Sequence, residues 1–269
     1  MKEFDAIIIG SGQAGTPLAY KLASAGKQVA FIERKHFGGT CVNDGCTPTK
    51  AYVASARRIW EARHGDELGI VIPEGAQANL KKIKQRKDAI VQESVEKIKS
   101  GVKKEKNITF FSGEAKFTGE KTIAVNEQKL KAKQLFINVG ARPAVPDDFK
   151  QLNYLTNESI LELEELPRHL VIVGGSYNGL EFGQMFQRFG SKVTIVEKES
   201  RVARYEDENI SENILAILKK EGIQFRLNAN CIGGRQNDDG TITVRLECSE
   251  GEPEVTATHL LLAVGRTPN

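Results

Sequence analysis

No apolar run in this chain approaches the roughly 20 residues needed to cross a bilayer. No secretory leader is expected: acids interrupt the opening Met1-Lys2-Glu3-Phe4-Asp5, and the apolar run from Ala6 to Ile9 is too short. Charge of one sign is scarce. Thirty-eight Lys and Arg against 35 Asp and Glu leave a formal net charge of +3, too little to imply a nucleic-acid or membrane partner. Four cysteines in 269 residues do not make a disulfide scaffold. The expectation is a cytoplasmic protein, and in a reducing compartment a close cysteine pair is catalytic or metal-binding rather than structural. The four histidines, His36, His64, His169 and His259, are scattered and read as surface or packing residues.

What is present is ordinary globular material. Hydrophobic residues make up 40% and charged residues 27%, enough apolar surface for a core. A chain of 269 residues makes one large or two ordinary domains. The sequence favours two, because one unit is written twice. Asp5-Ala-Ile-Ile-Ile-Gly10-Ser-Gly-Gln-Ala-Gly15 reads as a buried parallel strand, a glycine turn and a helix start. Leu170-Val-Ile-Val-Gly174-Gly-Ser-Tyr-Asn-Gly179 repeats it. A second strand ends in an acid each time, Val29 to Glu33 and Val193 to Glu197, at the same interval from the first glycine. Phe136 to Pro143 is echoed by Leu262 to Pro268. These matches predict an α/β chain of two tandem Rossmann-like domains, over residues 1–148 and 149–269.

The first copy carries an insertion with a helix from about Thr47 to His64 and a basic helix from about Leu80 to Lys106. Short strands are expected near Ile108–Phe111, Glu114–Phe117 and Thr122–Val125. The second copy has a helix near Ser211–Glu221 and a hairpin at Asn237-Asp238-Asp239-Gly240. The basic helix reads as amphipathic, because Leu80, Ile83, Ile90, Val95, Ile98 and Val102 recur at helical spacing. Trp60, Phe110 and Phe111 are assigned to the core, and Cys248 to an inert strand position.

Within Gly10-Ser11-Gly12-Gln13-Ala14-Gly15, Gly10 permits the tight turn, Gly12 lets backbone approach a pyrophosphate, and Gly15 lets helix and strand pack. Glu33 is expected to accept hydrogen bonds from a ribose. In the second turn Ser176 stands where glycine is usual and Asn178 where an aliphatic residue is common. Glu197 favours NADH over NADPH, since a carboxylate accepts from a free 2′-hydroxyl and repels a 2′-phosphate; Lys198 and Arg201 oppose it. Cys41 and Cys46 precede a helix with Pro48 in its first turn. The helix dipole is expected to lower a nearby thiol's pKa, and Lys50, one turn after Cys46, to support a thiolate or a reduced flavin. A zinc half-site or two buried thiols are the alternatives. Zinc wants shorter spacing and a second ligand pair, which Cys231 and Cys248 do not supply.

The run Gly38-Gly39-Thr40-Cys41-Val42-Asn43-Asp44-Gly45-Cys46-Thr47-Pro48-Thr49-Lys50 resembles the signature of the class I pyridine nucleotide-disulfide oxidoreductases. These flavoenzymes include dihydrolipoamide dehydrogenase, glutathione reductase and mercuric reductase. Asp44, Thr47 and Thr49 depart from its commonest residues. Gly175-Ser176-Tyr177 and Ile137-Asn138-Val139-Gly140 lean toward mercuric reductase-like members. The resemblance covers the whole chain. It implies that Gly10, Ser11, Gly12, Gln13, Ala14, Gly15, Glu33, Thr40, Lys50, Ala115 and Gly140 contact FAD. It implies that Gly174, Gly175, Ser176, Tyr177, Asn178, Gly179, Glu197, Val264 and Gly265 contact NAD(P)H, with Cys231 touching the adenine through its backbone. Tyr177 would gate the nicotinamide, and Glu181 would pair with Lys50 beside the flavin. Cys46 would be the charge-transfer thiol and Cys41 the thiol that attacks substrate. The acceptor would be a small disulfide, lipoamide included, or Hg(II). A non-catalytic nucleotide-binding module is the reading of a different class.

Complete members of that family continue past the Gly-Arg-x-Pro-Asn run at 265–269. They add an FAD-completing Gly-Asp segment, then an interface domain that forms a homodimer and supplies a His-Glu pair. The resemblance therefore leads us to expect a shortened chain that lacks the dimerisation domain, binds FAD weakly and turns over slowly or not at all.

Overall fold

Ala6, Ile7 and Ile8 explain the first uninterrupted apolar run: all three are buried, and successive side chains serve different clusters. Ile7 packs with Ile123, Val125 and Leu130, whereas Ile8 packs with Ala19, Ala23 and Phe31. A strand covered on both faces has no polar side to alternate with. The computed structural model describes residues 1–70, 76–248 and 251–269.

The chain forms two compact units. The first comprises residues 1–49, 88–142 and 268–269 and holds a six-stranded sheet. Its order is Ile108–Ser112, Val29–Glu33, Lys2–Ile9, Gln128–Ile137, Thr122–Val125, Ala115–Gly119. The first four strands are parallel, and the last two extend the sheet antiparallel. Helix Gly15–Ser24 follows the first strand and buries Ala19 and Ala23.

The second unit, residues 50–87 and 143–267, repeats the plan. Five parallel strands run in the order Gln224–Arg226, Lys192–Val196, His169–Val173, His259–Leu262, Tyr154–Leu155. Leu170 and Ile172 face helices Tyr177–Phe189 and Glu208–Lys220. Val171 and Val173 face an antiparallel sheet of Ala229–Gln236, Ile242–Cys248 and Glu254–Ala257. The two sheets with their crossover helices are Rossmann-like, the α/β class the repeated motif implied.

Residues 50–87, which a cut at 148/149 assigns to the first domain, pack instead with the second unit. Tyr52, Ala56 and Leu80 are buried in the same cluster as Phe186 and Phe189, and the Tyr52 hydroxyl donates to the Leu161 carbonyl at 3.2 Å. The helices of the insertion run Cys46–Arg63 and Leu80–Lys104. The basic helix buries one cation: Lys87, 3% exposed, meets Glu162 at 2.7 Å, and Lys84 joins it at 2.9 Å. Trp60 is half-buried, stacked on His64 at 4.4 Å with the Arg188 guanidinium 5.3 Å from its ring. Phe111 belongs to the core as expected, but Phe110 is 40% exposed. The two are neighbours on one strand, so their side chains leave by opposite faces.

Phe186 is fully buried and meets Phe189 edge to face at 6.0 Å. Phe186→Ala is expected to lower unfolding free energy by about 3–5 kcal/mol in urea titration. A loss under about 1 kcal/mol would show that this cluster does not hold the second unit together.

Candidate nucleotide and dithiol sites

At the first glycine turn, Gly10 has φ +105° and its N–H donates to the Ile32 carbonyl at 2.8 Å. A Cβ there would lie 2.1 Å from the Asn138 carbonyl oxygen, and one on Gly15 would lie 2.1 Å from the Gly10 carbonyl oxygen. Only hydrogen fits at either position. The turn is closed by Glu33. Its Oε2 accepts from the Ser11 N–H at 2.9 Å and the Ser11 hydroxyl at 2.8 Å, and its Oε1 from the Lys35 N–H at 2.8 Å. Of about four acceptor positions on a carboxylate, three are spent on the protein, which leaves room for a single further donor.

The second turn copies this geometry within its own unit. Gly174 has φ +112°, and its N–H donates to the Val196 carbonyl at 2.9 Å. A Cβ on Gly174 would lie 2.5 Å from the Ala263 carbonyl oxygen, and one on Gly179 would lie 1.9 Å from the Gly174 carbonyl oxygen. Glu197 closes the turn, accepting from the Gly175 N–H at 2.6 Å and the Glu199 N–H at 3.0 Å. One acceptor position stays open on each oxygen, a match to the two vicinal hydroxyls of a ribose.

A cavity of about 580 Å³ lies over this turn. Gly174, Gly175, Ser176, Tyr177, Asn178, Glu197, Cys231, Val264 and Gly265 all line it; Gly179 sits beneath, in the helix. The exposed Tyr177 hydroxyl donates to Glu206 at 2.5 Å, and that carboxylate raises the phenol's pKa. Burial first, then the charge of Glu197, pushes the Cys231 thiol up to about 12, so it stays protonated. The sequence pointed to Arg201 as a basic neighbour. The structure lines the cavity with Arg204 instead, and Arg201 donates to the Arg204 carbonyl at 3.3 Å. Arg204, Tyr205 and Glu199 lie on a loop, where no periodicity flags a residue.

The dithiol is built on the first turn. Gly39 meets Gly12 so closely that a Cβ would fall 2.7 Å from the Gly12 Cα. Ser11 Oγ accepts from the Gly38 N–H at 3.1 Å, and Asn43 donates to the Phe37 and Gly39 carbonyls at 2.9 Å each. These bonds seat the short helix Gly39–Asn43, which carries Cys41. The next helix opens at Cys46. Gly45 lies between them, where a Cβ would be 2.9 Å from the Thr40 carbonyl oxygen and 3.2 Å from the Cys41 Cα. Both cysteines are free thiols, Cys41 half-buried and Cys46 exposed.

Burial, followed by its hydrogen bond with Cys46, pushes the Cys41 thiol above its ordinary value. At Cys41 this corrects the expectation of a dipole-lowered pKa, because desolvation of the charged form dominates there. Lys50 and Glu181 form an ion pair within the second unit. Thr40 is exposed, Gly140 is exposed beyond strand Gln128–Ile137, and Ala115 is half-buried at the start of an edge strand. No histidine lines the cavity, and the His36 carbonyl accepts from the Gly39 N–H at 3.2 Å where the dithiol helix starts. His169 bonds the Thr194 hydroxyl at 2.9 Å, His259 bonds Thr258 at 3.1 Å, and burial lowers the pKa of both rings. Among the described residues no group of three or more His, Cys, Asp or Glu is arranged to hold a metal ion, and no helix is long and apolar enough to cross a membrane.

Gly45→Val is expected to force the short helix Gly39–Asn43 away from the helix that Cys46 opens and slow oxidation of the thiols to a disulfide by about tenfold or more, followed by thiol titration under mild oxidant. Because the raised Cys41 pKa delays thiolate formation, its alkylation rate should climb at higher pH than that of a model thiol peptide. A profile displaced to lower pH would contradict the burial argument.

Comparison with known proteins gives a consistent result. The family model described as pyridine nucleotide-disulphide oxidoreductase matches residues 4–269. Mercuric reductase of Staphylococcus aureus is 34% identical over 269 residues, 99% of this chain and 49% of the relative. Dihydrolipoyl dehydrogenase of Geobacillus stearothermophilus is 31% identical over 272 residues, 99% of this chain and 57% of the relative. The chain thus spans about half the length of the curated relatives it matches. Among solved structures, the Cu(II) complex of the HOCl-induced flavoprotein disulfide reductase RclA from Escherichia coli superposes with a TM-score of 0.86 at 33% identity, covering 100% of this chain and 58% of that one. With its fold, its two glycine turns and a family match over nearly all its length, the chain belongs to the pyridine nucleotide-disulphide oxidoreductases.

Proposed function

We propose that this chain carries the nucleotide-exchange and dithiol parts of an FAD-dependent NAD(P)H oxidoreductase whose acceptor is a disulfide or, as in the mercuric reductases it resembles, Hg(II). The observation that carries the reading is the contact of Gly39 with Gly12, because it seats the cysteine-bearing helix on the first glycine turn within one unit. In this reading the first unit serves FAD and the second unit serves NAD(P)H. A dihydrolipoamide dehydrogenase acceptor is the nearest alternative; the setting is cytoplasmic, and a homodimer is the form of the longer family members that carry an interface domain.

Both turns fit a dinucleotide. Each packs its glycines so closely that a Cβ would strike a backbone carbonyl oxygen, and each closing carboxylate keeps acceptor capacity toward ribose. FAD, when bound, supplies a two-electron relay between nicotinamide and dithiol. The rest is this chain's own chemistry. Gly174 to Gly179 and the N-terminal amides of helix Tyr177–Phe189 hold a pyrophosphate, and Glu197 accepts the ribose hydroxyls. The two acceptor positions left on Glu197 favour NADH. Tyr177, exposed and hydrogen-bonded to Glu206, lines the cavity where it would gate the nicotinamide.

For a disulfide substrate, the Cys41 thiolate attacks one sulfur and the first thiol leaves with a proton. Cys46 then attacks the Cys41 sulfur of the mixed disulfide, releasing the second thiol and leaving a Cys41–Cys46 disulfide. The substrate gains two electrons, and the cysteines lose two electrons and two protons. The Lys50–Glu181 pair fixes a cation one turn along the helix that Cys46 opens.

The test starts from oxidised protein reconstituted with FAD. Anaerobic NADH should reveal two more titratable thiols per chain, together with a long-wavelength absorption shoulder, and Cys46→Ser should abolish both. Flavin bands with an unchanged thiol count would reduce the reading to a nucleotide-binding module.

A further inference from the structure

The two cations on the 198–205 segment that line the cavity are both engaged by one residue that does not line it. The Glu199 carboxylate accepts from Arg204 Nη1 at 2.6 Å and lies 3.9 Å from Lys198 Nζ. Arg204 is further held by the Tyr205 hydroxyl, 2.6 Å from Nη2, with its guanidinium 4.7 Å from the Tyr205 ring centroid. The backbone places this cluster at the glycine turn. Gly175 donates to Glu197 on one side, and its carbonyl accepts from the Ala203 N–H at 2.9 Å on the other, so Arg204 is one residue from the turn. Glu199 is itself fixed, because its N–H donates to Glu197. Two carboxylates and two cations therefore meet at the ribose end of the cavity, with no net charge to offer an added phosphate.

Resting on the reading of this cavity as the NAD(P)H site, we propose that Glu199 sets the choice between the two nucleotides as a positioning residue. Its carboxylate neutralises Lys198 and Arg204 and withholds the Arg204 fork from a 2′-phosphate. Glu197 alone would not secure a preference for NADH, since two cations stand beside it. An exposed ion pair is weak, so loss of the Glu199 charge releases Arg204 at little cost. A guanidinium so released is suited to a phosphate through paired N–H donors.

The measurement is equilibrium binding of NADH and NADPH to the whole chain, by quenching of protein fluorescence, with thermal melts recorded for each variant. Wild-type protein should prefer NADH. Glu199→Gln, which keeps the side chain's shape, should tighten NADPH about five- to tenfold relative to NADH. The double variant Glu199→Gln/Arg204→Gln should lose that gain, which separates a released arginine from a mere change in net charge. If NADH binds to wild type but Glu199→Gln leaves the NADPH to NADH ratio unchanged, the role of Glu199 is wrong and the site stands. If neither nucleotide binds wild type, the site reading and the inference fall together. A gain that survives in the double variant also overturns the proposal.

Discussion

A carboxylate at the end of the second strand bonded to the amide after a left-handed glycine is the interaction on which both halves of the molecule depend. Glu33 holds Ser11, and Glu197 holds Gly175. Each bond pins a turn that would otherwise be free, and the turn fixes where the following helix begins. The bond is charge-assisted and comes from a buried strand, so it is short and rigidly supported. It also leaves the helix's N-terminal amides pointing outward, which is the geometry an anionic pyrophosphate requires.

The same acid therefore has a structural duty before any nucleotide arrives. Glu33 has spent most of its acceptor capacity on Ser11 and Lys35, and Ser11 in turn binds the Gly38 amide that leads into the dithiol. The cysteines are thus connected to the first nucleotide turn through a serine hydroxyl and two glycines packed face to face. Glu197 is less committed and faces an open cavity. The two turns share a design but differ in what they leave for a ligand.

Much of this was legible in the sequence, and the limits have physical causes. The buried parallel strands were readable because Ile7 with Ile8, and Leu170 to Val173, are apolar without alternation. The repeated turns were readable because glycine has no substitute where a Cβ would strike a carbonyl oxygen. Helix ends were less so: the basic helix stops at Lys104, before the expected Lys106, where nothing but charge continues the pattern. The attachment of residues 50–87 to the second unit depends on contacts such as those of Tyr52 with Leu161 and Phe189, more than a hundred positions away in sequence, and no local pattern announces such contacts. The raised Cys41 pKa follows from burial, which competes with the helix dipole and is invisible in spacing alone. Arg204 was overlooked in favour of Arg201 because a loop has no period from which to infer direction.

The central claim is that the carboxylate-closed turn of the second unit is a dinucleotide seat. Titration of NADH into isotope-labelled protein, followed by backbone amide shifts, tests it most directly. The account predicts saturable changes at residues 174–179, 197 and 264–265, with Gly175 among the largest. Saturable binding that leaves those amides unmoved, while shifts gather elsewhere, would contradict it.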